Sequence, residues 1–285
     1  MVRGRQDPDR DPVGDGGHAR GAVPGADRRS ARGGGRVSRP ASPVRATVAL
    51  AALEMRLTAR RGENVLVTLV IPPAVLVFFA TVGIVPGIAG RPVDFFLPGT
   101  LALAVIASGL VSLGIATAYE RGYGVLKRLG GSPLPRWGLV AAKLAAVLAL
   151  ELLQMALLLV VAMTVLGWRA PTGTSIPIFA AALLSGTLAF AGLGLLLAGT
   201  LRAEATLALA NGLFLLFLMV GGVVLPVDRL PAPLDALAAV LPAAALADAF
   251  RSALGSGQNP AGSLLVLGVW GAATAGLAIR TFRWE

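Results

Sequence analysis

The chain has 285 residues, of which 55% are hydrophobic and 14% are charged, and its mean hydropathy is +0.76. A water-soluble domain does not carry so apolar a surface, so the composition predicts an integral membrane protein. The chain has a formal net charge of +10 and no cysteine, which excludes disulfides and thiolate metal sites.

The first 43 residues are rich in Gly, Pro, Arg and Asp, and nine of the chain's 25 basic residues are arginines within the first 39 positions. Such a segment cannot bury enough apolar surface to offset its ordering entropy. We therefore predict that residues 1–43 form a disordered basic cytoplasmic tail without a nucleic-acid partner. Binding to RNA or anionic lipid and an upstream translation start assigned in error are the alternatives. The segment lacks the apolar core of a secretory signal, and its lone His18 has no partners for a metal site.

From residue 44 onward the pattern indicates an all-α polytopic membrane protein with six transmembrane helices. Residues 44–63 place leucines on one arc of a helix and arginines on an adjacent arc, which predicts an interfacial helix. Six apolar stretches then approach the length of about 20 residues that a bilayer core requires. They run from 65 to 85, 98 to 118, 137 to 166, 176 to 200, 205 to 225 and 262 to 280. Pro72 and Pro73 are expected to kink the first span.

Basic residues are divided unevenly between the predicted loops. One side of the membrane receives the tail, Arg56, Arg60, Arg61, Arg121, Lys127, Arg128, Arg136, Arg202, Arg280 and Arg283. The other side receives Arg91, Arg169, Arg229 and Arg251. The positive-inside rule therefore places both termini and the loop after the second span in the cytoplasm.

The loop after the second span, YERGYGVLKRLGGSPLPRW at 119–137, is a charged island between two apolar spans. On a helical wheel, residues 119–129 separate into two faces. The charged face holds Glu120, Arg121, Lys127 and Arg128, and the apolar face holds Tyr119, Tyr123, Leu126 and Leu129. Gly130 and Gly131 predict the end of this helix, and Ser132 with Pro133 the start of the next. Taken alone, the island is either a contact surface for a partner or a signal that only fixes topology.

On the opposite side of the membrane, residues 226–255 are too apolar for a free loop and too rich in proline to span. We predict two short extracytoplasmic helices there, 234–241 and 243–254, that dip into the outer leaflet.

Polar side chains interrupt the spans at a few positions. Glu151 lies 14 residues into the third span, about 20 Å along the helix axis, where a charge is costly. Gln154 is on the same face and is expected to hydrogen-bond it. These groups line a transport pathway or the dimer seam, or else Glu151 is a protonated, internally paired structural carboxyl. Asn211 in the fifth span has a pathway interpretation and a packing interpretation too. Lys143 is near the cytoplasmic end of the third span, where its stem is expected to snorkel.

Several short motifs resemble one family, the permease subunits of type-2 ATP-binding-cassette exporters. The motif after the second helix of that family is similar to Glu120, Gly124, Leu126, Ser132, Pro133 and Lys143, in this order and spacing. LPVDRLP at 225–231, Pro242 with Ala249-Phe250-Arg251 beyond it, and FRWE at 282–285 are similar as well. The resemblance covers about residues 44–285. Val125 and Gly122 depart from it, since the family usually has Thr at the first position and often an acidic residue at the second.

This resemblance implies that residues 119–129 form a coupling helix gripped by a separate ATPase. The contact would be made by Glu120, Arg121, Gly124, Lys127 and Arg128. It also implies a homodimer or near-homodimer that contains this chain in the cell membrane, working with two ATPase subunits that bind ATP and Mg. The expected function is export of a hydrophobic or amphipathic compound such as a drug or a lipid.

The sequence has no G-x-x-x-x-G-K-[ST] phosphate loop, and no H-E-x-x-H helix, nucleophile elbow or Cys/His cluster. We therefore expect neither enzyme activity nor a cofactor in this chain. The alternatives are a secondary transporter that uses Glu151 in proton coupling and a membrane assembly protein with no transport role.

Overall fold

The structure, a computed structural model, describes residues 42–60, 62–82, 90–130, 135–222, 231–255 and 259–281. Its regular elements within these ranges are all helical, as the sequence predicted. The tail predicted for residues 1–43 lies outside them up to residue 41, so its disorder stays a prediction.

The helices are α1 (Pro43–Arg60), α2 (Gly62–Val82), α3 (Pro92–Ile106), α4 (Leu113–Gly122), α5 (Val125–Gly130), α6 (Arg136–Thr164), α7 (Ile176–Thr200), α8 (Ala203–Val220), α9 (Ala232–Val240), α10 (Pro242–Ala253) and α11 (Ala261–Thr281). A π-helical segment, Ala107–Ser112, joins α3 to α4 in one continuous helix. Such π turns, with i→i+5 hydrogen bonds, are rare and are frequently found at functional sites.

Within the described residues, five helices are long and apolar enough to cross a membrane. They are Pro92–Gly122, Arg136–Thr164, Ile176–Thr200, Ala203–Val220 and Ala261–Thr281. The span predicted at 65–85 corresponds to α2, which continues through Pro72 and Pro73. The apolar part of this helix that the structure describes is Thr68–Val82. The chain is a multi-pass membrane protein, and the count of six spans stays a prediction.

Helix α7 occupies the centre of the bundle, in contact with α3, the π segment, α4, α6, α8, α10 and α11. Glycines permit this close approach. A Cβ atom built on Gly194 would lie 2.6 Å from the Gly109 carbonyl oxygen of the π segment. One built on Gly192 would lie 2.9 Å from the Ala275 amide nitrogen of α11. Small residues in the fourth span therefore serve helix packing.

The two ends of the bundle are distinct. At one end Arg121 bonds the Leu201 carbonyl and Arg136 the Arg280 carbonyl, so the loops that the charge bias assigned to the cytoplasm lie together. At the other end Arg91 bonds the Leu166 carbonyl. We call the first the basic end of the bundle.

Two short helices were predicted between the last two spans, and the structure contains them as α9 and α10. Helix α10 is almost entirely buried, and it packs against α3, α7, α8 and α11. Helix α10 is thus part of the protein core, and the predicted placement of these helices in the outer leaflet stays a prediction. The motif at 225–231 lies outside the described residues up to residue 230, and the closing motif at 282–285 lies outside them entirely.

The interfacial helix predicted at 44–63 ends earlier, at Arg60, because Gly62 already begins α2. Ser42 caps α1, its hydroxyl oxygen accepting from the Arg45 amide at 3.4 Å. Helix α1 packs against α6, and Leu50 is buried there. Its position at the membrane surface stays a prediction.

Candidate functional site at the basic end

The charged island does not form one continuous helix, which corrects the helix predicted at 119–129. Helix α4 ends at Gly122, and a turn at Tyr123 and Gly124 precedes α5. Gly124 has a φ of 71°, a left-handed conformation that glycine adopts without steric cost. The helical-wheel prediction was wrong because it treated residues 119–129 as one continuous helix with a constant angle between successive residues.

Leu126, one of the four residues predicted on the apolar face, seats the short helix α5. The side chain of Leu129, another of the four, lies outside what the structure describes. Leu126 is completely buried against Leu50, Leu139 and Ala142. Tyr123, predicted on the same face, is 78% exposed. Val125 and Lys127 are also exposed, so α5 has a solvent-accessible side at the basic end. The side chain of Arg128 and residues 131–134, with the predicted helix start at Ser132, lie outside what the structure describes.

Arg121 links this region to the centre of the bundle. Its guanidinium donates to the carbonyl oxygen of Leu201, at the C-terminal end of α7. A cation at this position satisfies a carbonyl left without an intrahelical partner and complements the negative end of the helix dipole. The end of α4 and the turn between α7 and α8 are therefore joined.

Glu120 and Lys143 lie inside the protein, in contact with each other. The Lys143 ammonium is 2.7 Å from a Glu120 oxygen and 2.8 Å from a Glu54 oxygen. Lys143 is 1% exposed and the two glutamates 15–16%. The expectation that Lys143 snorkels to the surface is wrong, because two carboxylates neutralise it where it lies. We call these three residues the ion cluster; it joins α1, α4 and α6.

Sequence reasoning missed Glu54. One signal was present, since Glu54 follows Leu50 by one helical turn and shares its face of α1. An acidic side chain on the face that otherwise packs inward predicts a buried cation opposite, and Lys143 is that cation.

Deeper in the bundle, Glu151 is completely buried and joins three helical segments. Its carboxyl accepts from the Ser108 hydroxyl at 3.0 Å and from the Thr187 hydroxyl. Ser108 belongs to the π segment and Thr187 to α7. Glu151 therefore ties the π segment to α6 and α7.

The hydrogen bond predicted between Glu151 and Gln154 is absent from the described structure. The Gln154 amide instead donates to the Thr68 carbonyl of α2 at 3.0 Å, and its oxygen has no partner among the described groups. Asn211 lies on an exposed face of α8 and donates to the Leu207 carbonyl of its own helix at 2.8 Å. The roles predicted for these residues in transport stay predictions.

A cavity of about 590 Å³ connects the basic end with the Glu151 region. Its lining comes from α1, α2, the π segment, α4 and α6 and includes the ion cluster at one end and Ser108 at the other. Tyr119 and Tyr123, whose ring centroids are 6.1 Å apart, also line it. We call it the α1–α4–α6 cavity. The described residues contain no cluster of His, Cys, Asp and Glu that could bind a metal ion.

Comparison with known proteins places the chain in a family. A family model described as ABC-2 type transporter matches residues 45–254. The probable multidrug ABC transporter permease YbhS of Escherichia coli K12 is 29% identical over 170 residues, as is the protein of the same name from Escherichia coli O157:H7. Each match covers 58% of this chain and 44% of the relative, less than half of the relative's own length. The family match spans most of the chain and agrees with the resemblance noted in the sequence: the protein belongs to the ABC-2 type transporter family.

Proposed function

We propose that this chain is the permease subunit of an ATP-driven exporter that moves a hydrophobic or amphipathic compound out of the cytoplasm. A separate ATPase binds ATP and Mg, and two copies of it act with two copies of this chain in the cell membrane. The chain itself has no cofactor. The observation that carries the proposal is α5, which is anchored on one side by buried Leu126 and exposes Val125 and Lys127 on the other.

Contacts around α5 supply a route from a bound ATPase to the membrane helices. Helix α4, which leads into α5, is held to α1 and α6 by the ion cluster and to the end of α7 by Arg121. Interfaces between packed elements are bistable and not continuously deformable. We therefore expect a displacement of α5 to move α4 together with the helices that are bonded to it.

One observation also supports proton-coupled transport as a second candidate. The α1–α4–α6 cavity reaches Ser108, which hydrogen-bonds Glu151. A proton could enter from the basic end and reach this carboxyl. The two functions differ in their energy source, since only the exporter requires ATP.

The first step of the test is to inspect the reading frames beside this gene for an ATPase with a phosphate loop, and to purify the two proteins together. In vesicles, transport should require ATP and persist when an ionophore dissipates the proton gradient. Transport that stops with the gradient and ignores ATP would contradict the proposal and favour the second candidate.

Charge reversal on α5 tests the ATPase contact. Changing Lys127 and Arg128 to Glu should lower co-purification of the ATPase by tenfold or more, because like charges at a desolvated interface cost several kcal/mol. Arg169→Glu is the matched control, since Arg169 is an exposed basic residue in the loop before α7, away from the basic end. Equal loss of ATPase co-purification in both proteins would indicate an effect on folding. Unchanged co-purification in both would mean that the charges of α5 only fix the topology of the chain and do not contact the ATPase.

A further inference from the structure

We propose that the first half of α2, residues 62–71, is a gate on the side of the α1–α4–α6 cavity. It moves about a hinge at Pro72 and Pro73, and Gln154 of α6 holds it closed. Both prolines lie inside the helix. Proline has no backbone N–H, so each one removes an i→i−4 hydrogen bond, and sharp bends in helices occur mostly at such positions. The helix is therefore easiest to bend between its two halves.

The two halves of α2 differ in how firmly they are packed. In the second half, Leu76 is completely buried in the main core, and the ring centroid of Phe79 is 5.5 Å from that of Phe96 on α3. In the first half, none of the side chains that the structure describes belongs to a hydrophobic core cluster. Three of them are 52–64% exposed, namely Leu66, Val70 and Ile71. Segments with few buried apolar contacts open at the lowest free energy, so the first half is the part that moves.

This half of α2 forms a wall between the cavity and the outside of the bundle. Thr68 lines the cavity. Leu66 and Val70 lie on the opposite face of the helix and are exposed, so in a multi-pass membrane protein they meet lipid. Movement of residues 62–71 away from α6 therefore opens the cavity sideways.

The bond that holds the gate closed lies next to the hinge. Gln154 is buried, and its amide donates to the Thr68 carbonyl oxygen at 3.0 Å. In a regular α-helix residue 72 donates to this same carbonyl, but Pro72 has no hydrogen to donate. Neighbouring helices supply donors to backbone groups that proline leaves in a membrane helix. Gln154 is such a donor, and it fastens the moving half of α2 to α6.

The closed position leaves one polar atom of Gln154 poorly satisfied. Its side-chain oxygen is buried and has no partner among the described groups. A buried acceptor without a partner raises the free energy of the state that contains it. Opening the gate admits water from the cavity to this oxygen and removes part of that cost. This favours a wall that moves over one that is fixed.

The gate goes beyond the proposed function, because it involves only helices of this chain and serves either energy source. It is measurable on the purified full chain in nanodiscs without an ATPase. A rigid α2 would therefore leave the ATPase contact of α5 untouched, and loss of that contact would leave the gate untouched.

Spin labels on introduced cysteines measure the movement, since the chain has no native cysteine. One pair joins Leu66→Cys on the gate to Leu277→Cys on α11, and the control pair joins Phe78→Cys on the second half of α2 to the same position. All three positions are exposed. Double electron–electron resonance is recorded with excess unlabelled chain, so that only distances within one chain contribute. We expect a displaced population in the first pair and a single narrow distance in the second.

Variants at the hinge and at the holding bond decide the outcome. Gln154→Met keeps an unbranched side chain without the donor, and it should raise the displaced population about threefold or more, the size expected for a lost hydrogen bond. Leu153→Met, at the exposed neighbouring position, is the control and should change nothing. Pro72→Ala restores a backbone donor at the hinge and should lower the displaced population, alone and together with Gln154→Met.

Three results would overturn the proposal. The first is a distance distribution of the Leu66 pair that neither Gln154→Met nor Pro72→Ala alters. The second is equal broadening of the Phe78 pair in Gln154→Met, which would mean that α2 loosens as a whole. The third is a displaced population that persists in the double variant, which would remove Pro72 from the hinge. If Gln154→Met does not fold, Pro72→Ala alone still tests the hinge.

Discussion

Replacing Lys143 with methionine should destabilise the protein strongly, because it leaves two carboxylates facing each other inside the bundle. Methionine keeps an unbranched apolar stem and removes the ammonium, which lies 2.7 and 2.8 Å from Glu120 and Glu54. Removing one partner of a buried ion pair typically costs 3–5 kcal/mol. The glutamates are 15–16% exposed, and water reaching them places the expected loss at the lower end, about 3 kcal/mol.

Thermal unfolding of the purified chain in detergent measures this loss. At roughly 2–4 °C per kcal/mol for a chain of this size, the Tm should fall by about 6–12 °C. The variant that also carries Glu54→Gln and Glu120→Gln removes the charges of all three residues and should recover part of the stability, because no buried carboxylate is then left facing another.

Two outcomes would refute this reasoning. A Lys143→Met protein with the Tm of the unaltered chain would mean that the ion cluster does not stabilise the fold. A charge-free triple variant as unstable as Lys143→Met would mean that the loss comes from packing of the lysine stem and not from unpaired charge.

Four further predictions follow from the contacts. Glu151→Gln should keep both Tm and transport, because a carboxamide can join the π segment to α7 as the carboxyl does; lost transport at normal expression would instead support a proton role. A chain shortened to begin at Ser42, which keeps the cap of α1, should insert and transport normally, and reduced transport in vesicles would reveal a partner of the tail. In a chain without native cysteine, Asn211→Cys on exposed α8 should form an oxidative dimer if α8 lies at the proposed dimer seam, whereas Leu152→Cys on exposed α6 should not; equal crosslinking of both would place the seam elsewhere. Gly194→Val should reduce the folded yield in size-exclusion chromatography, because its Cβ would meet the carbonyl of Gly109 at 2.6 Å, and a normal yield would show that α7 has room to move.

The spans were predictable because apolar length and loop charge are local properties of the sequence. The stretch predicted at 137–166 is Arg136–Thr164 in the structure, and that predicted at 176–200 is Ile176–Thr200. The short helix predicted at 243–254 is Pro242–Ala253. Each of these segments ends at proline, glycine or polar residues, whose effect on a helix does not depend on the rest of the fold.

Partners of the buried polar groups were not predictable in the same way. Gln154 is close to Glu151 in sequence, which suggested a pair, yet Glu151 bonds Ser108 and Thr187. Those residues lie 43 and 36 positions away. Which hydroxyl meets which carboxyl depends on how the π segment, α6 and α7 pack. The packing of α7 on the π segment depends in turn on glycine contacts, such as that of Gly194 with Gly109, which a single sequence does not reveal.

The helical wheel of residues 119–129 also assumed that every charged residue on one face would point toward a partner. The helix breaks at Gly124, and the charged residues on its two sides differ in environment. Glu120, before the break, contacts Lys143 inside the protein, whereas Lys127, after it, is exposed. Reversing the charge of Glu120 would therefore set two cations against each other inside the protein before it altered any surface seen by an ATPase. A loss of coupling in that variant would report on the ion cluster, so the ATPase contact has to be tested on α5.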